Sequence, residues 1–420
     1  MFQIPYSRQH VTDDDIAAVT RALRADCLTQ GPEIGAFEAA FAERHRVAHA
    51  VAVCNATSAL HLACLALGVG PGSRVWTSPN SFVASANCAL YCGATVDFVD
   101  IDARTRNMSI EALRVKLAQA QATHALPQVV IPVDFAGLPC DLHEMRQLAD
   151  RYGFRLLEDA SHATGASYRG RPVGSAYADA TVFSFHAVKI LTSAEGGMVT
   201  TQDAGLAHRL RALRSHGITR DAGEMECLSE GAWYYEQLSL GYNHRMTDVQ
   251  AALGGSQLER LDAMHAQRCA LAGRYDQLLA DLPLRLPARP ADRVSAWHLY
   301  SVEVDARRTS ATRGAVFDAL RAAQIGVNVH YIPIHTQPFY RRLGFNHGDF
   351  PAAEAYYAGC LSLPLFPLLT EAEQGTVVGV LRRALAPKLH VVRPMNRSRK
   401  PADVTAAAES AALAHGETLT

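Results

Sequence analysis

The 420-residue chain lacks several features that would mark a specialised class of protein. Its 40 basic and 41 acidic residues leave a net charge of −1, so no excess positive charge favours binding to nucleic acid or to an acidic membrane. Nine cysteines are present, but no two of them form a C-x-x-C pair, and an odd number cannot all pair within one chain. We therefore expect reduced, mostly buried cysteines and no metal site.

Long apolar runs are also missing. No uninterrupted apolar stretch approaches the length that crosses a bilayer, and the N-terminus, MFQIPYSRQH, lacks the charged start and apolar run of a secretory signal. Hydrophobic residues make up 49% of the chain and charged residues 19%, which is typical of globular proteins. We expect a cytoplasmic protein, not associated with a membrane, whose length favours two domains.

Short β-rich runs alternate with helix-like segments between Val47 and Thr201. The runs AHAVAVC, SRVWTS, QVVIPVDF, FRLLEDA and ATVFSFH are typical of buried strands, and amphipathic or apolar segments of helical length separate them. This alternation predicts an α/β fold with a mainly parallel sheet covered by helices on both faces. Functional side chains are expected where the strands end at their carboxyl side.

The second half of the chain has a different pattern. Helical character extends from Asp248 to Leu282, and Pro283 ends it; AWHLYSVEV then predicts a strand, and GVNVHYIPIH predicts a strand that runs into a loop. We expect a large domain over residues 1–260, which includes the N-terminal segment, and a smaller α+β domain over residues 261–388. The composition of residues 389–420 predicts a flexible tail.

Two segments could bind phosphate. Asn55-Ala56-Thr57-Ser58 follows a strand and begins a helix, where hydroxyls and free N–H groups favour an anion, although an ordinary helix cap has the same residues. The glycine-rich run from Gly68 to Ser73 offers a dinucleotide site instead. It follows a helix and not a strand, and Pro71 suits a turn, so we favour the first segment.

Asp159 and Lys189 also follow apolar strands. A carboxylate at the end of such a strand favours a cationic partner, although Asp159 could cap a helix, or bind a metal together with His162. Lys189 lies in SFHAVKILTSAEGG, among few other charges. Burial would lower its pKa and make it a nucleophile, whereas a surface lysine would extend into solvent.

The order of these residues favours one cofactor. A phosphate seat, the aromatic Phe82 after the next strand, Asp159, Ser184 and Lys189 together match the needs of pyridoxal 5′-phosphate (PLP). That cofactor needs an amine for its aldehyde, a carboxylate for its ring nitrogen, an aromatic face and a phosphate site.

The sequence closely resembles the DegT-type sugar aminotransferases, which are PLP-dependent enzymes of the aspartate-aminotransferase-like fold, fold type I. The resemblance covers roughly Ile4 to Pro387 and is carried by SFHAVKILTSAEGG, EDASHATGA and LGYNHRMTDVQAALG. It implies a three-layer αβα domain with a smaller C-terminal domain, and a homodimer with active sites at the subunit interface.

The resemblance also implies a role for each matching residue. Thr57, Ser58 and Ser184 would hold the cofactor phosphate, and Phe82 would stack on the ring. Asp159 would pair with the ring nitrogen, and Lys189 would be the Schiff-base lysine that also moves protons in catalysis. Asn243 would reach the phosphate in the neighbouring subunit.

Two departures from the common family pattern indicate a particular branch of the family. Many members have glutamine where this chain has His162 and glycine where it has Ala194. These residues and the segment VHYIPIHTQPFYR resemble the pseudaminic-acid branch, which uses glutamate to aminate a UDP-linked 4-keto sugar. We expect His162 to contact the 3-hydroxyl of PLP and assign it a part in catalysis, although it could be an inert core residue.

The sugar site is placed at a segment that leaves a predicted strand of the second domain. Its candidate residues are His330, Tyr331 and His335, whose imidazoles and phenol suit hydroxyl and acetamido groups, with Tyr6 as a further candidate. The same segment could instead only pack against the first domain.

Three alternatives remain. Sugar 3-dehydratases of the same fold replace the lysine with histidine, which Lys189 argues against. Aminotransferases for other nucleotide-linked keto-deoxysugars share the chemistry but not the substrate. A non-catalytic PLP-binding regulator would have little reason to keep both Lys189 and Asp159.

Overall fold

The computed structural model describes residues 2–174 and 176–386. Its helices are α1 Asp13–Arg24, α2 Pro32–His45, α3 Ala56–Ala66, α4 Ala84–Tyr91, α5 Ile110–Ala122, α6 Leu142–Tyr152, α7 Ala204–Arg214, α8 Asp248–Glu259, α9 Leu261–Leu279, α10 Arg313–Ala322, α11 Pro338–Arg341, α12 Pro351–Gly359 and α13 Glu371–Leu385. Its strands are β1 His49–Val53, β2 Arg74–Thr77, β3 Thr95–Phe98, β4 Val129–Ile131, β5 Arg155–Asp159, β6 Ser167–Tyr168, β7 Arg171–Pro172, β8 Ala180–Ser184, β9 Gly197–Thr201, β10 Ile218–Thr219, β11 Glu236–Gln237, β12 Leu284–Arg285, β13 Arg293–Val294, β14 Tyr300–Val304 and β15 Cys360–Leu363.

A seven-stranded sheet of order β1-β9-β8-β5-β4-β2-β3 forms the centre of the larger part. Neighbours from β8 to β3 are parallel, and only β9 runs antiparallel to both of its neighbours. The predicted mainly parallel sheet is therefore confirmed. Its parallel strands bring the ends of β5 and β8 to one edge, where Asp159 and Ser184 are the last strand residues.

Helices cover both faces of this sheet because alternate strand residues are apolar on each side. On one face α3, α4 and α7 pack on residues such as Val53, Ile131 and Leu157. On the other face α5 and α6 pack on Val130 and Leu156, and α2 and α8 pack farther along the sheet. Three layers result, as predicted.

The C-terminal part has its own antiparallel sheet of order β12-β14-β15. Helices α9, α10 and α13 pack against it around a core that includes Tyr275, Tyr300 and Leu381. This is the α+β pattern that the sequence predicts, whereas the domain boundary between residues 260 and 261 stays a prediction. The segment 389–420, predicted to be a flexible tail, lies outside the described residues.

Two local predictions need correction. The helical segment from Asp248 to Leu282 breaks at Arg260, whose backbone is not helical and whose guanidinium bonds Asp15. The strand predicted in GVNVHYIPIH is absent. Asn328 makes only an isolated β-bridge, and its side-chain oxygen accepts a hydrogen bond from the N–H of Val329. Pro333 in the same segment lacks an N–H for strand pairing.

Candidate active site

Lys189 lies in the loop between β8 and β9, just beyond the carboxyl end of a sheet strand. Its backbone N–H donates to the carbonyl of His186 at 2.9 Å, which fixes the loop in a turn. The side chain is half-buried, and among the described residues its Nζ has no hydrogen-bond partner. Burial lowers the pKa of Lys189 to about 8, although attraction by Asp159 opposes this shift. The amine is thus readily available near neutral pH.

Asp159 ends β5 and is buried, with 4% of its surface exposed. One carboxylate oxygen accepts the Ser85 hydroxyl at 2.6 Å, and the other accepts the hydroxyl and the N–H of Ser161 at 2.6 and 3.1 Å. These donors hold the carboxylate in one orientation. The negative charge of Asp159 raises the pKa of Lys189 and so partly offsets the effect of burial.

His162 follows Asp159 in the next turn and is also buried. Its Nε2 lies 3.2 Å from the hydroxyl of Tyr331, whereas its Nδ1 has no partner among the described residues. Burial, followed by repulsion from Lys189 and His330, holds the pKa of His162 well below its usual value. The ring is therefore neutral and offers one unused nitrogen.

His298, which sequence reasoning missed, lies against His162. The two ring centroids are 4.4 Å apart, and Nδ1 of His298 is buried without a partner in the described part of the chain. Burial, then repulsion by Lys189 and His162, lowers its pKa well below the usual range. His298 lies in AWHLYSVEV, just before Leu299 and the start of β14. The only sequence signal for a functional role was therefore a histidine near the start of a strand.

His330 and Tyr6 complete this side of the site. His330 Nδ1 lies 2.8 Å from the Ser362 hydroxyl, and burial, with repulsion from Lys189, lowers its pKa to about 4. The Tyr6 ring is 6.0 Å from the His330 ring, and the neighbouring Ser7 hydroxyl donates to the carbonyl of Val188 at 3.3 Å. The N-terminal segment therefore contacts the loop that carries the lysine.

The predicted phosphate site lies at the start of α3. Asn55 caps the helix by accepting the Ser58 N–H at 2.8 Å. Gly197 lies against the backbone at this helix start. A Cβ atom added to Gly197 would come within 2.7 Å of the carbonyl carbon of Asn55. Because Gly197 is also the β-partner of Ser184, the strand pairing brings Ser184 to the helix end that carries Thr57 and Ser58.

The structure places the remaining predicted residues differently. Phe82 is 58% exposed and its ring lies 6.3 Å from that of Tyr331, so it is at the edge of this group. Asn243 is exposed on a loop that bridges to Ser215. His335 is not brought to the group: it is fully buried, and its Nε2 lies 2.9 Å from a Glu354 carboxylate oxygen.

The site fits PLP on observations of its own. The amine of Lys189 is free for an aldehyde, and Asp159 offers a buried carboxylate for a ring nitrogen. The unused Nδ1 of His162 lacks a polar partner that a bound ring could supply, and the N-terminus of α3 is an environment that favours an anion such as a phosphate. Together with a sheet in which only β9 is reversed, the site defines a PLP-dependent transferase of fold type I.

Comparison with known proteins identifies the family. Residues 9–382 match the DegT/DnrJ/EryC1/StrS aminotransferase family. The chain is 41% identical over 382 residues to the spore coat polysaccharide biosynthesis protein SpsC of Bacillus subtilis, covering 90% of this chain and 96% of the relative. The chain therefore belongs to the DegT/DnrJ/EryC1/StrS aminotransferase family, whose members are PLP-dependent sugar aminotransferases.

Solved structures agree with this assignment. PseC of Helicobacter pylori, an aminotransferase involved in the biosynthesis of pseudaminic acid, is 30% identical, with a TM-score of 0.83 and coverage of 91% of this chain and 99% of that one. Spr1654 of Streptococcus pneumoniae, solved in PMP and PLP forms, is also 30% identical; its PMP form has a TM-score of 0.83 and the same coverage. The family, fold and cofactor predictions are confirmed, whereas the roles of single residues stay predictions.

Two further findings concern the predictions made from composition. No helix in residues 2–174 and 176–386 combines the length and apolarity that a bilayer crossing needs. Within the same residues, no group of three or more histidine, cysteine, aspartate or glutamate side chains is arranged to hold a metal ion.

Proposed function

We propose that this enzyme transfers the amino group of glutamate to the 4-keto group of UDP-2-acetamido-2,6-dideoxy-β-L-arabino-hexos-4-ulose. The product would be UDP-4-amino-4,6-dideoxy-N-acetyl-β-L-altrosamine, a precursor of pseudaminic acid. One observation carries the proposal: His162 and the segment VHYIPIHTQPFYR, through both of which the sequence resembles the pseudaminic branch, meet in the site, where Tyr331 contacts His162 at 3.2 Å.

Different side chains near the sheet edge are proposed to hold different parts of the cofactor. When bound, PLP supplies the electron sink through which an amino group is exchanged. Asp159 keeps a proton on the ring nitrogen, and Phe82 and His162 hold the plane of the ring. Thr57, Ser58 and Ser184 bind the phosphate at the positive end of α3.

Lys189 has two tasks. Its Nζ would hold the cofactor through its aldehyde, and the same amine would remove and return the proton that moves during amino transfer. A pKa of about 8 suits both tasks, because the amine exchanges protons readily at neutral pH.

We further propose that two copies of the chain form the working enzyme, with Asn243 reaching the phosphate bound by the partner. The exposure of Asn243 in the single chain supports this arrangement, because the side chain is free to contact a second copy. Tyr6, His330 and Tyr331 are proposed to lie near the keto sugar. The cytoplasmic location also stays a prediction.

Amination of another nucleotide-linked keto-deoxysugar is the second candidate. It is favoured by the 41% identity to SpsC, a spore coat polysaccharide protein, against 30% identity to PseC. The two candidates share the lysine chemistry and differ only in the sugar.

The test is to supply glutamate with either the L-arabino or the D-xylo epimer of the UDP-linked 4-keto sugar and to measure product mass. We expect amination of the L-arabino sugar, and no product with Lys189→Ala. Turnover of the D-xylo sugar alone would contradict the proposed substrate and favour the second candidate. No product from any 4-keto or 3-keto nucleotide sugar would contradict both.

A further inference from the structure

The contact between Tyr331 and His162 connects two distant parts of the chain. Oη of Tyr331 and Nε2 of His162 are 3.2 Å apart across 169 residues of sequence, and the two rings stack at an interplanar angle of 21°. In the described part of the chain, the tyrosine hydroxyl has no other hydrogen-bond partner, and neither does Nδ1 of His162. Which atom carries the shared hydrogen decides what His162 can offer a ligand.

His162 is a neutral ring with one N–H group, so two tautomers are possible. If the hydrogen were on Nε2, it would be donated to Tyr331, and both the tyrosine hydrogen and the bare Nδ1 would lack partners. If the hydrogen is on Nδ1, Tyr331 donates to Nε2 and only the Nδ1–H group lacks one. Because unpaired buried polar groups are costly, the second tautomer is favoured.

Tyr331 is suited to act as the donor. Burial, followed by the nearby negative charge of Asp159, raises the pKa of its phenol, so the hydroxyl keeps its hydrogen. The other titratable groups that face His162 do not compete with Tyr331 as the hydrogen-bond donor to Nε2. Lys189 is a cation that opposes imidazolium formation, and His298 and His330 are neutral because burial and Lys189 lower their pKa values.

We propose that Tyr331 is a positioning residue: its hydroxyl donates to His162 Nε2 and thereby places the imidazole hydrogen on Nδ1, which donates to the 3-oxygen of PLP. This inference rests on the proposed placement of PLP beside Lys189. It assigns Tyr331 a task in cofactor binding, separate from the sugar contact predicted from sequence. Phenylalanine would keep the ring packing but would leave the tautomer unspecified.

A double-mutant cycle tests the proposal. We would measure the dissociation constant of PLP for the wild type, Tyr331→Phe, His162→Gln and the double variant. Without the Tyr331 hydroxyl only a fraction of His162 carries its hydrogen on Nδ1, and affinity falls by the inverse of that fraction, so Tyr331→Phe should weaken PLP binding by about threefold or more. In the His162→Gln background the same change should alter affinity less than about twofold, because the amide donates without a tautomer to select.

A spectroscopic measurement on wild-type protein keeps the test independent of any variant. In ¹⁵N-histidine-labelled protein without PLP, the signal absent from His162→Gln identifies His162 among the 18 histidines. We expect Nδ1 to be protonated in the wild type. A hydrogen on Nε2, or an equal loss of affinity from Tyr331→Phe in both backgrounds, would overturn the inference. Wild-type protein that binds no PLP would instead overturn the proposed function together with it.

Discussion

The carboxyl groups of Asp134 and Glu158 lie close together in the protein interior, beside the end of β5, where repulsion from Glu158 helps to raise the pKa of Asp134. Asp134 Oδ1 accepts the Cys140 N–H at 2.8 Å, and Glu158 Oε2 accepts the Thr181 hydroxyl at 2.7 Å. Asp134 Oδ2 and Glu158 Oε1 are buried without a hydrogen-bond partner among the described residues. Two buried carboxyls in contact must share a proton to avoid repulsion.

This pair predicts that the protein loses stability as pH rises above the range in which carboxyl groups ordinarily titrate. Burial, followed by repulsion from Glu158, raises the pKa of Asp134, and burial likewise raises that of Glu158. A folded pKa above the unfolded value gives stability that is present at low pH and is lost as pH rises through the folded value. The loss should approach about 1.4 kcal/mol per pH unit for each proton involved.

Urea unfolding at a series of pH values would measure this loss. Asp134→Asn serves as the control, because the amide can donate to Glu158 without titrating. We expect a smaller dependence of the unfolding free energy on pH in this variant. An identical dependence in the two proteins would show that the carboxyl pair does not hold a proton.

The second prediction concerns the availability of the Lys189 amine. PLP uptake by cofactor-free protein should accelerate as pH rises toward about 8, the pKa of Lys189, and level off above it. Because the Asp159 carboxylate raises that pKa, Asp159→Asn should move the midpoint to lower pH. The rate of appearance of the visible absorption band gives both midpoints; an unshifted midpoint, or one near the usual lysine value, would refute the coupling.

The third prediction tests whether Asn243 acts across the subunit interface. Asn243→Ala should weaken PLP binding by about 1 to 3 kcal/mol, the effect of one lost hydrogen bond to a charged group. Mixing Asn243→Ala with Lys189→Ala subunits should restore activity, since each mixed dimer would contain one site with both residues intact. If mixing restored nothing while mixed dimers formed, Asn243 would act within its own subunit.

The fourth prediction separates sugar contact from structural support. Tyr6→Phe should raise the KM for the keto sugar. It should leave the first half-reaction, amino transfer from glutamate to the cofactor, unchanged, because only the second half-reaction, amino transfer to the sugar, uses the sugar site. His335→Ala, at a buried site paired with Glu354, should instead lower the unfolding free energy. Equal losses in both half-reactions for Tyr6→Phe would place Tyr6 outside the sugar site.

Sequence patterns predicted the sheet because its strands are continuous apolar runs bounded by polar turns. They also drew attention to Asp159, the last residue of β5, and to Lys189, in the loop that follows β8. His298 could not be found this way, since its contact with His162 depends on how the C-terminal part packs. His335 has the same local pattern as His330, and only the tertiary structure shows that it faces Glu354.

Reduction with borohydride tests the central claim most directly. The chain has four lysines, Lys116, Lys189, Lys388 and Lys400, and reduction in the presence of PLP would fix the cofactor to the one that binds it. We predict a single modified peptide containing Lys189, the same modification in Lys116→Ala, and none in Lys189→Ala. Modification of another lysine, or of none in wild-type protein, would contradict the assignment of Lys189.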